Sequence, residues 1–95
     1  MAYTVIAHYR CAPADEATVR AALLTMREHT RAEPANLTYA VHAEAERPGG
    51  FVLYEQYTDA AGFAAHTSAA YFEELIVNTV RPLLTERTVT FAETL

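Results

Sequence analysis

The side chains able to do chemistry in this 95-residue chain are mostly phenols and imidazoles: six tyrosines and four histidines, against one cysteine and no tryptophan. Tyr39, Tyr54 and Tyr57 fall in two neighbouring stretches that read as strands. With His66 or His29 at the rim they can line an aromatic pocket suited to a flat phenolic ligand. Tyrosines at such positions also serve as amphipathic core residues, and that reading stands beside the first. His66 sits near the end of a helical stretch, where the helix dipole favours the protonated imidazole and makes its charge tunable near neutral pH. An imidazole so placed can take a proton from a bound hydroxyl, or can simply cap carbonyls at the helix end. Glu55, a carboxylate inside a strand, can pair with Arg10 or Arg81 or act in the same chemistry.

Other chemistries lack their residues. The chain has no GxGxxG, P-loop, GxSxG elbow or HExxH. The four histidines are scattered, and His8 with His42 on neighbouring strands offers two ligands where zinc takes at least three, so no metal is expected. Cys11 alone can form neither an internal disulfide nor a cysteine-based zinc site, and it reads as a small buried side chain rather than a reactive thiol. Seven basic against twelve acidic residues give a formal net charge of −5. With no Lys/Arg cluster, a nucleic-acid surface is not expected. No apolar run approaches the roughly 20 residues of a membrane helix. The amino-terminal residues lack the basic and apolar regions of a secretory signal, so a cytoplasmic protein is expected.

Positioning these groups falls to one domain spanning residues 1–95. Tyr3 to Arg10 alternates as a first strand, with Tyr3, Val5, Ala7 and Tyr9 on one face. From Asp15 to about Ala32, Val19, Ala22, Leu23 and Met26 recur at helical spacing, and Pro34 stops the helix. Leu37 to Glu46 alternates again, and the Pro48-Gly49-Gly50 turn joins it to a strand from Phe51 to about Thr58 as an antiparallel hairpin. Asp59 caps a short helix that breaks at Thr67-Ser68; Ser68 offers the next cap. A further helical run to about Thr79 buries Phe72, Leu75 and Ile76. Arg81-Pro82 closes it before a last strand from Glu86 to Ala92. The order β-α-β-β-α-β is the ferredoxin-like α+β arrangement, with helices on one face of a four-stranded antiparallel sheet. Ile6, Val52, Tyr54 and either Val89 or Phe91 cannot all face those helices, so the open face calls for a partner. A homodimer with sheets face to face supplies it.

The pattern Tyr54-Glu55-x-Tyr57-x-Asp59, then Ala61, Phe63, His66 and Phe72, resembles the central signature of the antibiotic biosynthesis monooxygenase family. Arg31-Ala32-Glu33-Pro34 followed by Leu37-x-Tyr39 is similar to that family's loop into its second strand. The resemblance extends over almost the whole chain and implies a quinol-monooxygenase-like protein of the dimeric α+β barrel type. It implies oxidation of a phenolic or polycyclic aromatic, of the quinol or anthrone kind, by O₂ without metal or flavin. The substrate then supplies the electrons, and the protein need only take a proton, stabilise the anion and exclude water. Within that chemistry His66 is expected to be the proton acceptor or hydrogen-bond partner of the substrate oxygen, and Tyr57 the aromatic wall or oxyanion donor. Tyr39, Tyr54, His29, Asn36, Tyr71 and Phe72 are expected to contact substrate. Tyr57 stands where many relatives have tryptophan, and Tyr71 where a second histidine often precedes the phenylalanine.

Other functions remain open on the sequence. A dimer of the same fold can bind an aromatic metabolite without turnover, or act as an accessory subunit. A small-molecule isomerase of phosphorylated diones would need a cationic clamp, for which only Arg81 and Arg27 are candidates. A haem-degrading relative would need an iron-ligating histidine on the last helix, and Glu73 to Asn78 contains none.

Overall fold

Alternation of small and branched apolar residues with polar ones gives β1 (Tyr3–Cys11) a two-faced character, and every other element packs according to it. In the computed structural model, which describes residues 1–95, a 3₁₀ turn at Pro13–Asp15 leads into α1 (Glu16–Arg31). The chain continues through β2 (Asn36–Ala43), β3 (Gly50–Tyr57) and α2 (Ala60–Ser68). Next comes α3 (Ala70–Phe72), which passes without a break into a π-helical segment, Glu73–Val80. A 3₁₀ turn at Arg81–Leu83 then precedes β4 (Leu84–Glu93). The strands form one antiparallel sheet in the order β2-β3-β1-β4. This is the ferredoxin-like β-α-β-β-α-β arrangement that the sequence pattern predicts.

Val5, Ala7, Tyr9 and Cys11 of β1 point to the helices, as do Phe51, Leu53, Glu55 and Tyr57 of β3, and all eight are buried. Val19, Ala22, Leu23 and Met26 of α1 close over Ala7, Tyr9, Phe51 and Leu53, so the expected helical stripe is the core stripe. Cys11 is buried, and desolvation raises its thiol pKa. The hairpin turn depends on Gly49, whose φ of 88° lies in the left-handed region; a Cβ there would collide with the Cys11 carbonyl oxygen.

Several local expectations shift. The helix break falls at Ala69, whose ψ of 143° is extended. Ser68 does not cap α3, because its hydroxyl donates back to the Ala64 carbonyl at 2.8 Å inside its own helix, satisfying itself within the preceding turn. Asp59 does cap α2, its Oδ1 accepting the Gly62 N–H at 2.8 Å, as an N-cap carboxylate should. The last strand begins two residues earlier than predicted, at Leu84, since the Arg81–Leu83 turn re-aims the chain at once. His8 and His42 are not on adjacent strands: each is in register with Val52 of β3, which separates them. Val89 and Phe91 both turn to the helix side, Val89 packing on the core and Phe91 against Phe63 at 5.5 Å between ring centroids. Ile6, Val52 and Tyr54 occupy the opposite, helix-free face. No helix is long and apolar enough to cross a membrane.

Candidate functional site

Four elements bring ionisable groups together beneath α2. Asp59 caps the start of α2, and in its last turn His66 points inward, 2 % exposed. The loop after α1 carries Glu33, whose Oε2 lies 3.0 Å from His66 Nδ1 and also accepts a hydrogen bond from the Tyr71 hydroxyl. From the sheet, Glu55 places Oε1 3.8 Å from His66 Nε2 and accepts the Tyr57 hydroxyl at 2.7 Å. One imidazole thus stands between two carboxylates, and in each the oxygen nearest the ring also accepts a tyrosine hydroxyl.

Rings enclose the group. His66 packs against Tyr57 at 5.2 Å, Phe72 at 5.2 Å, Phe63 at 5.9 Å and Tyr39 at 6.0 Å between centroids. Beside it opens a cavity with about 50 Å³ of free space, whose wall includes Tyr9, Tyr39, Glu55, His66, Phe72 and Arg81. The outer part of that wall is formed by Arg87 and Phe91, and Phe91 is 53 % exposed, so the mouth lies along β4. Phe72 and Ile76 of the wall flank the start of the π-helical segment, a conformation that recurs at functional sites.

Burial decides the protonation states. Desolvation lowers the His66 pKa, although the hydrogen bond and charge of Glu33 work against it. The expected favouring of imidazolium by the helix end is therefore reversed, because loss of water outweighs a dipole effect. The neutral ring donates Nδ1–H to the Glu33 carboxylate and leaves the Nε2 lone pair facing Glu55 and the cavity. Burial pushes the Glu55 carboxyl up to about 7, helped by the charge of Glu33 and opposed by the Tyr57 hydrogen bond. Tyr57 and Tyr39 are pushed well above the usual phenol range by desolvation and by Glu55, so both stay protonated at any physiological pH. Tyr71 is raised to about 12 by burial and its bond to Glu33.

The sequence-derived residues separate into three groups. Tyr39, His66 and Phe72 line the cavity, and Tyr57 adjoins it through Glu55 and the His66 ring. Tyr71 and His29 stack at 4.7 Å in an outer groove on the other side of Glu33, so they meet the site only through that carboxylate. Tyr54 lies on the helix-free face of the sheet, 37 % exposed, because its strand neighbours Leu53 and Glu55 point inward. Asn36 is spent on the sheet edge, donating to the Thr38 carbonyl at 3.0 Å and the Gln56 carbonyl at 3.3 Å where β2 bulges. Glu55 pairs with neither Arg10 nor Arg81; Arg10 bonds Glu44 at 2.5 Å and meets Glu86 at 3.5 Å.

Glu33 and the cavity position of Arg81 escaped sequence reasoning. Glu33 precedes a proline in a loop, and nothing in local spacing ties it to a histidine 33 residues away. Its place in the Arg31-Ala32-Glu33-Pro34 stretch, which resembles the family's loop, was the available signal, and that stretch names no partner for it. No group of three or more His, Cys, Asp or Glu side chains is arranged to hold a metal ion.

Comparison with known proteins agrees with this architecture. The structure superposes on Rv0793 from Mycobacterium tuberculosis with a TM-score of 0.91 at 28 % sequence identity, covering 100 % of this chain and 96 % of that one. A crystal structure of an antibiotic biosynthesis monooxygenase gives 0.91 at 26 % identity, with 98 % of both chains covered. PA3566 from Pseudomonas aeruginosa, at 23 % identity and a TM-score of 0.91 over 99 % of this chain and 94 % of its own, shares the fold. No protein of curated function matches the chain. Residues 2–77 match the family described as antibiotic biosynthesis monooxygenase, and the chain belongs to that family.

Proposed function

We propose that this protein is a cofactor-independent monooxygenase that oxidises a phenolic or polycyclic aromatic substrate with O₂. The observation that carries the reading is His66, buried among aromatic rings with Nδ1 anchored on Glu33 and Nε2 open to the cavity. The 3.8 Å between Nε2 and Glu55 Oε1 is too long for a hydrogen bond, and a substrate hydroxyl can bridge it. Nε2 takes the hydroxyl proton, and Glu33 balances the imidazolium that forms. Glu55, near half-protonated at neutral pH, can donate to the new oxyanion. The resulting electron-rich anion reacts with O₂. One oxygen atom ends as the quinone carbonyl and the other leaves as water, every electron coming from the substrate carbon.

Free space of about 50 Å³ is well short of the roughly 150 Å³ of a cavity that takes a benzene ring, so substrate entry requires the aromatic wall at Phe63, Phe72 and Phe91 to part. The test is oxygen uptake by metal-stripped protein with hydroquinones, naphthalenediols, anthrones and phenolic carboxylic acids, beside an enzyme-free autoxidation control. Saturable, protein-dependent uptake supports the oxygenase. No excess across the panel, from folded protein, would assign the cavity to aromatic-metabolite binding without turnover.

Glu33 has the positioning role in this scheme. Glu33→Gln is expected to lower kcat by about tenfold to a hundredfold, because the wrong His66 tautomer becomes accessible. The acid limb of the pH–rate profile should also move to lower pH, since Glu33 is what raises the His66 pKa against burial. A stability loss with an unmoved profile would reduce Glu33 to a structural contact.

The reading includes a homodimer in which two helix-free sheet faces cover each other's Ile6, Val52 and Tyr54. Light scattering should then give twice the 10.5 kDa chain mass. A monomer that retains activity would exclude the dimer from the function.

A further inference from the structure

Among buried side-chain nitrogens and oxygens, Arg81 Nε alone has no hydrogen-bond partner. Leaving such a donor unpaired is costly, and more so on a charged group. Arg81 lies in the 3₁₀ turn between the π-helical segment and β4, and its guanidinium carbon stands 5.6 Å over the Phe72 ring. It lines the same cavity as His66 and Glu55. Arg87, in register with Tyr9 on the neighbouring strand, lines that cavity as well. Neither arginine forms an ion pair: the arginines that do are Arg10, Arg20 and Arg27. Two cations without carboxylates therefore face a cavity whose other polar wall is the His66–Glu55 pair. Tyr9 stands between the two ends, feeling the charge of Glu55 from one and of Arg81 and Arg87 from the other.

We propose that Arg81, assisted by Arg87 at the mouth, is a carboxylate subsite, and that the substrate is a hydroxyarene carboxylic acid. The proposal rests on the cavity being the substrate site. The free Nε–H belongs to the edge of the guanidinium that matches a carboxylate with parallel hydrogen bonds, and the guanidinium carbon is held 5.6 Å over the Phe72 ring. A planar acid bound there extends its ring between the aromatic walls and can present a hydroxyl to His66 Nε2. Neutral quinols lack the group that satisfies Arg81, so the site discriminates against them by leaving a buried charged donor unpaired.

Salicylate and salicylamide share outline and phenol and differ in the charge at one substituent, so they isolate the subsite without any turnover. In proton–nitrogen NMR titrations the protein should bind salicylate about tenfold or more tightly than salicylamide, as expected for a charge-assisted pair. Salicylate should also shift an arginine Nε–H resonance that is absent from Arg81→Lys. Arg81→Gln should bring salicylate down to salicylamide affinity while salicylamide affinity stays put; Arg81→Lys should keep part of the preference. Equal binding of the two probes by the wild type would overturn the proposal. So would a preference surviving in Arg81→Gln, loss of both ligands together in a folded variant, or no binding of either. Oxygen uptake with neutral quinols would survive that failure. Conversely, acid preference without uptake on any hydroxyarene acid would sink the oxygenase and leave the subsite standing.

Discussion

His66→Gln should lower protein-dependent oxygen uptake by about 10²–10⁴-fold, the range associated with loss of a positioned general base. Glutamine is chosen because it keeps a hydrogen-bond donor for Glu33 and much of the buried volume, so the packing among Tyr57, Phe63 and Phe72 survives better than with alanine. Its amide cannot accept a proton near neutral pH, so what remains is binding, exclusion of water and autoxidation. In the wild type the rate should fall on the acid side as His66 protonates. Because burial lowers its pKa, that fall should lie below the ordinary 6.5. The measurement is initial uptake from pH 5 to pH 9 after subtraction of the protein-free rate. A folded variant with wild-type turnover would remove His66 from the chemistry and leave it a buried structural histidine.

The second large effect is on stability, and its sign is the reverse of the usual carboxylate case. Glu55 titrates near 7 in the folded chain against 4.5 for a free carboxyl. Between those values the folded state holds a proton that the unfolded state has lost. Raising the pH through that window therefore destabilises the wild type. A shift of that size corresponds to about 3 kcal/mol once both states are ionised. Glu55→Gln removes the ionisation and lets the amide oxygen still accept the Tyr57 hydroxyl. It should thus be more stable than wild type by about 2–3 kcal/mol at pH 8.5, visible as a rise in Tm on the order of 10 °C, and nearly level with it at pH 4.5. Urea midpoints at the two pH values decide the matter. His66 contributes in the opposite sense in both proteins, since its depressed pKa means stability is lost as the pH falls below 6.5. A pH-independent difference between variant and wild type would show that Glu55 is not held protonated by burial. A residue whose replacement stabilises the fold at working pH is one whose buried carboxyl works against stability, as functional groups often do.

Much of this was written locally. Alternation in Tyr3–Cys11 and in Phe51–Tyr57, helical spacing of Val19, Ala22, Leu23 and Met26, the Asp59 cap and the Gly49 turn are short-range properties. Each depends on steric limits and side-chain period within a few residues, so element order and the ferredoxin-like arrangement followed from them. The family signature around Tyr57 and His66 was legible for the same reason. What tertiary structure decided were pairings between distant positions and the burial that sets their charge. Glu33 reaches His66 across 33 residues, and Glu55 turns inward to the imidazole rather than to Arg10. Tyr54, one residue before Glu55, is sent to the far side of the sheet by the pleat. Whether a carboxyl near an imidazole titrates at 4.5 or near 7 depends on how much water packing removes from it. That is a property of the assembled core and not of any stretch of chain.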